Sequence, residues 1–226
     1  MMKTLMILTV LATAPFVYGA GSGPMSGGSP PAGGNSETSA RKTPEQMAVA
    51  SYNAGLNHKK RALDYEAKAA KAKNDGDRDK QLAKAKSQYE DAVEDYKKAI
   101  GYDRRAYQAM NELGYAWRKT GDYENALRAY NTALIVKPDF APALEYRGET
   151  YLALARFKDV KDAYLALVRT DQDQAAALMV AMEAWQETHA ENTTAEAKEF
   201  VAWVQERKAV AANTVSLSTN NVHPWN

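Results

Sequence analysis

Apolar positions recur along this chain with two periods. The short one is helical. Leu113 and Trp117 lie one turn apart, and Ala126, Tyr130, Ala133 and Leu134 mark one face of a following segment. The long one is about 34 residues, the length of a two-helix repeat unit. Tyr89 maps to Tyr123 and then Phe157, Tyr96 to Tyr130 and then Tyr164, and Ala92 to Ala126 and then Val160. Ala99, Ala133 and Leu167 form a further series, as do Met110, Leu144 and Leu178, and Trp117, Tyr151 and Trp185. Gly114 maps to Gly148. Small residues let two helices approach closely, and aromatics fill the space between neighbouring pairs. Gly121-Asp122 reads as a turn between two helices. Lys137-Pro138-Asp139 ends a pair, because proline cannot continue a helix. The pattern predicts stacked antiparallel helix pairs.

Residues 107–140 carry Met110, Leu113-Gly114, Trp117, Ala126, Tyr130 and Pro138, and this stretch resembles a tetratricopeptide repeat. Residues 141–174 resemble a second copy through Leu144, Gly148, Tyr151, Val160 and Tyr164. That copy departs from the family pattern at Arg147, at Ala155 (where a turn glycine is usual) and at Gln172 (where proline is usual). The resemblance implies an all-α fold, a right-handed superhelical solenoid of antiparallel helix pairs.

The segments on either side extend this picture. Residues 44–106 read as an elongated hairpin. Its second helix keeps the register with Tyr89, Ala92, Tyr96 and Ala99, while its first carries its small residue at Gly55. The separation of Gly55 from Gly114 exceeds one repeat by about 25 residues. Shared equally, that adds about 12 residues, or roughly 18 Å, to each helix. The expected helices are Pro44 to about Lys73 and about Asp79 to Ile100, the first opened by Thr43-Pro44-Glu45-Gln46. Residues 175–212 form a C-terminal pair that caps the solenoid. Its apolar positions are Leu178, Val180, Met182 and Trp185, then Phe200, Val201, Trp203 and Val204, with Thr193 and Glu196 as a capping box. Residues 213–226 read as a flexible polar tail.

The N-terminal pattern is different. Residues 1–20 follow the order of an export signal: Lys3, an apolar run from Leu5 to Val17, then small residues at Gly19 and Ala20. The run contains Pro15 and is short for a membrane span. Residues 21–43 hold six glycines and three prolines with almost no apolar side chains, which describes a disordered tether. The expectation is an exported protein, periplasmic or secreted, without membrane insertion once the signal is cleaved. Peripheral membrane contact stays open.

Composition narrows the chemistry. The 226 residues carry a net charge of +1 and no cysteine, which removes disulfides, thiolate metal sites and cysteine nucleophiles. The three histidines, His58, His189 and His223, are far apart in the chain. Asp75, Asp77 and Asp79 alternate as in a calcium loop, but Lys80 and Lys86 stand where that loop needs glycine and glutamate. They read as the capped start of a helix. Glu183 and Glu187 read as a solvated face. With no nucleophile–histidine–acid set, phosphate loop or metal cluster, no enzymatic activity, cofactor or metal is expected.

Charge is nonetheless uneven. Residues 58–86 hold ten Lys/Arg against five Asp/Glu, whereas residues 171–206 hold one against eight. The basic stretch has few aromatics for base stacking, so nucleic acid is not an expected partner. The resemblance implies that the first helix of each pair lines a concave groove. The groove residues carried onto this chain are Tyr52, Leu56 and Lys59, then Gln108, Asn111, Tyr115 and Arg118, then Glu145, Glu149 and Leu152. Such a lining suits a protein or peptide partner. The expected function is that of an adaptor or assembly factor acting through the groove, the basic hairpin, or both. The alternative is a self-associating structural protein.

Overall fold

Thr43 starts the first helix as expected. Its hydroxyl accepts from the Gln46 N–H at 3.3 Å, and the Gln46 side chain accepts from the Thr43 N–H at 3.0 Å. The computed structural model describes residues 42–191 and 194–220, with side-chain surroundings through residue 210. Among the described residues the fold is all-helical. The eight helices are α1 (Pro44–Ala70), α2 (Asp75–Tyr102), α3 (Tyr107–Thr120), α4 (Tyr123–Val136), α5 (Ala141–Ala153), α6 (Phe157–Thr170), α7 (Gln172–Thr188) and α8 (Ala195–Asn220). The export signal, residues 21–41 of the tether, Thr193 and residues 221–226 lie outside the described residues.

The helices pair in chain order and stack as a solenoid. Small residues set the spacing. A Cβ added to Gly55 would lie 2.5 Å from the Tyr96 ring, and one added to Gly114 would lie 2.6 Å from the Tyr130 ring. The same glycine–tyrosine contact therefore closes the first two hairpins. The third differs: a Cβ on Gly148 would meet Leu178 of α7 at 2.7 Å, and Tyr164 packs edge-on against Trp203 of α8 at 5.6 Å. The capping pair has taken the place that a further repeat would fill.

Aligning the hairpins on glycine and tyrosine locates the extra length of the first one. The stretch from Gly55 to Tyr96 exceeds the stretch from Gly114 to Tyr130 by the whole of the excess, so all of it lies on the turn side. It is not shared equally. Measured against α3 and α4, α2 gains more before its tyrosine than α1 gains beyond its glycine, and the turn itself is slightly longer. The hairpin thus projects past the α3–α4 turn by roughly 14–21 Å at 1.5 Å per residue.

A heptad-spaced series of small residues holds this long hairpin. Ala48, Gly55, Ala62 and Ala69 are the buried positions of α1, and Ala85, Ala92 and Ala99 alternate with Tyr89 and Tyr96 along α2. That spacing keeps one seam of each helix on its partner. Asn74 caps α2 by accepting from the Asp77 N–H at 2.8 Å, and Asp75 and Asp77 occupy the positive end of the helix. The acids therefore begin α2 at Asp75, one turn earlier than the expected Asp79.

The shorter turns use left-handed residues. Gly121 ends α3 at φ 88°, and Ala155 takes the equivalent place after α5 at φ 54° despite its side chain. At the far end, the Thr194 hydroxyl accepts from the Ala197 N–H at 3.2 Å at the start of α8. Helix α8 then runs to Asn220, past residue 212 where the capping pair was expected to end.

Candidate functional site

The first helices of the hairpins, α1, α3 and α5, lie side by side and in parallel. Lys59 donates to Glu112 at 2.6 Å, and Lys119 pairs with Glu66 at 2.7 Å. The step from Lys59 to Glu66 equals the step from Glu112 to Lys119, so α1 and α3 keep one register over two turns. Arg118 pairs with Glu149, and the Tyr115 and Tyr146 rings meet at 5.2 Å. These two contacts also share one sequence offset, and they join α3 to α5 in the same way. The first helices of three hairpins therefore form one continuous wall.

The polar groups of this wall largely satisfy one another. Lys59 and Glu112 each expose only 13% of their side chains, and the Lys59 ammonium lies 4.1 Å from the centre of the Tyr115 ring. The Arg118 guanidinium lies 5.3 Å from the Tyr115 ring and 5.6 Å from that of Tyr146. Adjacent cations and carboxylates with shared aromatic faces make a desolvated network, in which removing one partner strands another. Burial pushes the phenols of Tyr89, Tyr96, Tyr115, Tyr130 and Tyr146 well above their usual range, so they remain protonated.

Glu145 is the exception to pairwise balance. It is 2% exposed, and one of its carboxyl oxygens is buried without a hydrogen-bond partner. Burial, followed by the neighbouring Glu149 charge, holds its carboxyl well above the ordinary carboxylate range. Arg118 faces two carboxyl groups with one charge, so Glu149 takes the ion pair and Glu145 keeps its proton.

The ten groove residues thus fall into three groups. Tyr52, Leu56 and Gln108 are half-buried along the wall. Lys59, Arg118 and Glu149 are present on it but engaged in ion pairs. Asn111, Tyr115, Glu145 and Leu152 are buried, and Leu152 packs in the core formed by α5–α8. Treating all ten as open to a partner therefore needs correction, because neighbouring first helices approach closely enough for their polar side chains to meet each other. Asn111 is 3% exposed and its side-chain oxygen has no hydrogen-bond partner. Glu112, Glu66 and Tyr146 complete the wall without having been singled out from the sequence. The constant offsets that find them become visible only once neighbouring helices are placed side by side.

Outside the wall, His58 sits on the α1–α2 seam, with Nδ1 3.1 Å from the Gln88 side-chain oxygen and its ring within 3.6–3.7 Å of Asp91 and Asp95. Among the described residues, no group of three or more His, Asp or Glu is placed to hold a metal ion. No described helix is long and apolar enough to cross a membrane.

Residues 81–143 match the tetratricopeptide repeat family. No curated protein matches the chain. Among solved structures, the chain is similar to the second tetratricopeptide domain of human RPAP3 in complex with an HSP70 peptide. That match has 15% identity and a TM-score of 0.40, covering 72% of this chain and 98% of that one. The first such domain of Spaghetti (RPAP3), bound to an HSP90 peptide, matches with 19% identity and a TM-score of 0.40, covering 56% and 96%. A tetratricopeptide repeat protein from Parabacteroides merdae matches with 15% identity and a TM-score of 0.41, covering 74% and 67%.

Proposed function

We propose that this chain is an exported, non-enzymatic adaptor or assembly factor that holds an extended segment of a partner protein against the wall formed by α1, α3 and α5. One observation carries the reading. Three hairpins present a single surface on which the charges are already paired, while the amide of Gln108 stays half-exposed on it, together with Tyr52 and Leu56. Amides can bond a partner's backbone, and a rigid aromatic with an aliphatic neighbour supplies contact area. Because Lys59 and Arg118 are neutralised within the wall, recognition of the segment does not depend on an acidic group.

Phage-displayed peptides selected against the purified protein test this. Apolar, uncharged sequences should emerge, and their affinity should fall at least tenfold in a Leu56→Glu/Gln108→Arg variant that keeps its helical circular dichroism. Selection of no peptide, or of peptides that bind both proteins equally, rejects the groove reading. Export is tested separately by N-terminal sequencing of the protein from its native source. A start at Ala20 or Gly21 supports it, and an intact Met1 counts against it.

A further inference from the structure

The projecting hairpin and the α7–α8 turn lie on the same edge of the solenoid. Consecutive helices are antiparallel, and α1, α3 and α5 share one direction, so the turns that close each pair all fall on that side. The two ends of the edge carry opposite charge. Residues 67–86 hold seven Lys/Arg against three Asp. Lys68, Lys71, Lys73, Lys80, Lys84 and Lys86 are exposed, and no carboxylate among the described residues forms an ion pair with any of them. Lys68 and Lys84 are positioned from opposite helices over the Tyr65 ring, at 5.1 and 5.5 Å. At the other end, Glu187, Glu191 and Glu196 are exposed around the α7–α8 turn and likewise unpaired. Elsewhere on the surface some charges are matched locally, as in Lys158–Asp162 and Lys161–Glu199, and the unpaired ones, such as Glu124, Arg169 and Asp173, are not gathered into a cluster of one sign of this size.

We infer that two copies of this chain associate edge to edge, the basic hairpin tip of each against the acidic α7–α8 turn of the other. A two-fold arrangement uses both complementary ends at once and closes without leaving a free end. The projection makes this possible, since the tip stands beyond the α3–α4 turn and reaches across to a neighbour. A net charge of +1 leaves little overall repulsion to oppose it. Single exposed ion pairs contribute little, so the association depends on many charges acting together and is sensitive to salt. This inference goes beyond the groove reading and does not rest on it.

Sedimentation of the full protein tests it. At low ionic strength, where the screening length is about 30 Å, mass should rise with concentration from that of one chain toward twice that value. It should return to monomer in about 1 M salt. A Lys68→Glu/Lys80→Glu/Lys84→Glu variant should stay monomeric, and so should a Glu187→Lys/Glu191→Lys/Glu196→Lys variant. Mixing the two should restore a dimer, since one then carries two acidic ends and the other two basic ends. Wild type that stays monomeric throughout overturns the inference, as does a dimer unaffected by either variant or variants that fail to rescue each other. So does a monomer whose hairpin lysines instead bind phosphatidylglycerol vesicles, which would assign the tip to an anionic lipid surface.

Discussion

Glu145→Gln should stabilise the protein at neutral pH, which is unusual for the loss of a carboxylate. In the folded chain Glu145 is kept protonated by burial and by Glu149, whereas in the unfolded chain it ionises near 4.5. The folded state therefore binds a proton that the unfolded state releases. The resulting stability is fully present below pH 4.5 and is lost as pH rises toward the higher folded value. At about pH 7, holding that proton costs about 1.4 kcal/mol for each of about 2.5 pH units, or roughly 3 kcal/mol. Glutamine presents a similar shape and an N–H toward Glu149 without the protonation cost. Urea unfolding of both proteins across about pH 4.5–8 should show equal midpoints at the acid end. The variant should gain about 1.4 kcal/mol per pH unit above it, which corresponds at neutral pH to a melting shift of roughly 6–12 °C. A difference independent of pH, or a variant less stable at neutral pH, would show Glu145 ionised in the fold as a second partner of Arg118 and refute this account.

Other substitutions probe the scaffold. Gly114→Ala should destabilise by about 1–3 kcal/mol, because its methyl would lie 2.6 Å from the Tyr130 ring. Gly101→Ala, with nothing within 4 Å, should be neutral or stabilising by up to about 1 kcal/mol. Thermal melts distinguish the two. Ala155→Gly should raise stability by up to about 1 kcal/mol by relieving a left-handed backbone, and an unchanged melt would contradict that strain. Lys59→Ala and Glu112→Ala should each cost about 3 kcal/mol, while the double substitution should cost clearly less than their sum. Additive losses in a double-mutant cycle would mean that the pair is not coupled.

The helix pairs were legible because their determinants are local and repeated. Gly114 with Tyr130, the Gly121 turn and Pro138 each specify backbone geometry within a few residues. The long hairpin was legible through the same marks, Gly55 and Tyr96, with the excess length read from their separation. The division of that length was not, because it depends on where the alanine seam ends and where Asn74 caps α2. The groove was legible only in part. The resemblance put Lys59, Arg118 and Glu149 on the first helices of successive pairs, and there they meet partners on the adjoining helix. Whether those faces stay open depends on how closely α1, α3 and α5 approach, and that distance is a property of the stack. The third hairpin shows the same limit, since Gly148 follows the repeat while its contact, Leu178, belongs to the cap.

The alanine seam also implies a gradient of local opening along the long hairpin. Near its base α1 and α2 are joined by Tyr89 and Tyr96, which face Ala62 and Gly55, whereas toward the tip the buried contacts are the methyl groups of Ala69 and Ala85. Apolar stabilisation follows buried area, so the last turns of the arm are held far less strongly than the base. Amide hydrogen exchange should therefore be fastest around residues 67–80 and slow progressively toward Gly55 and Tyr96, with the arm unzipping from its end while the stacked hairpins remain closed. Such an arm can change its reach without disturbing the wall behind it.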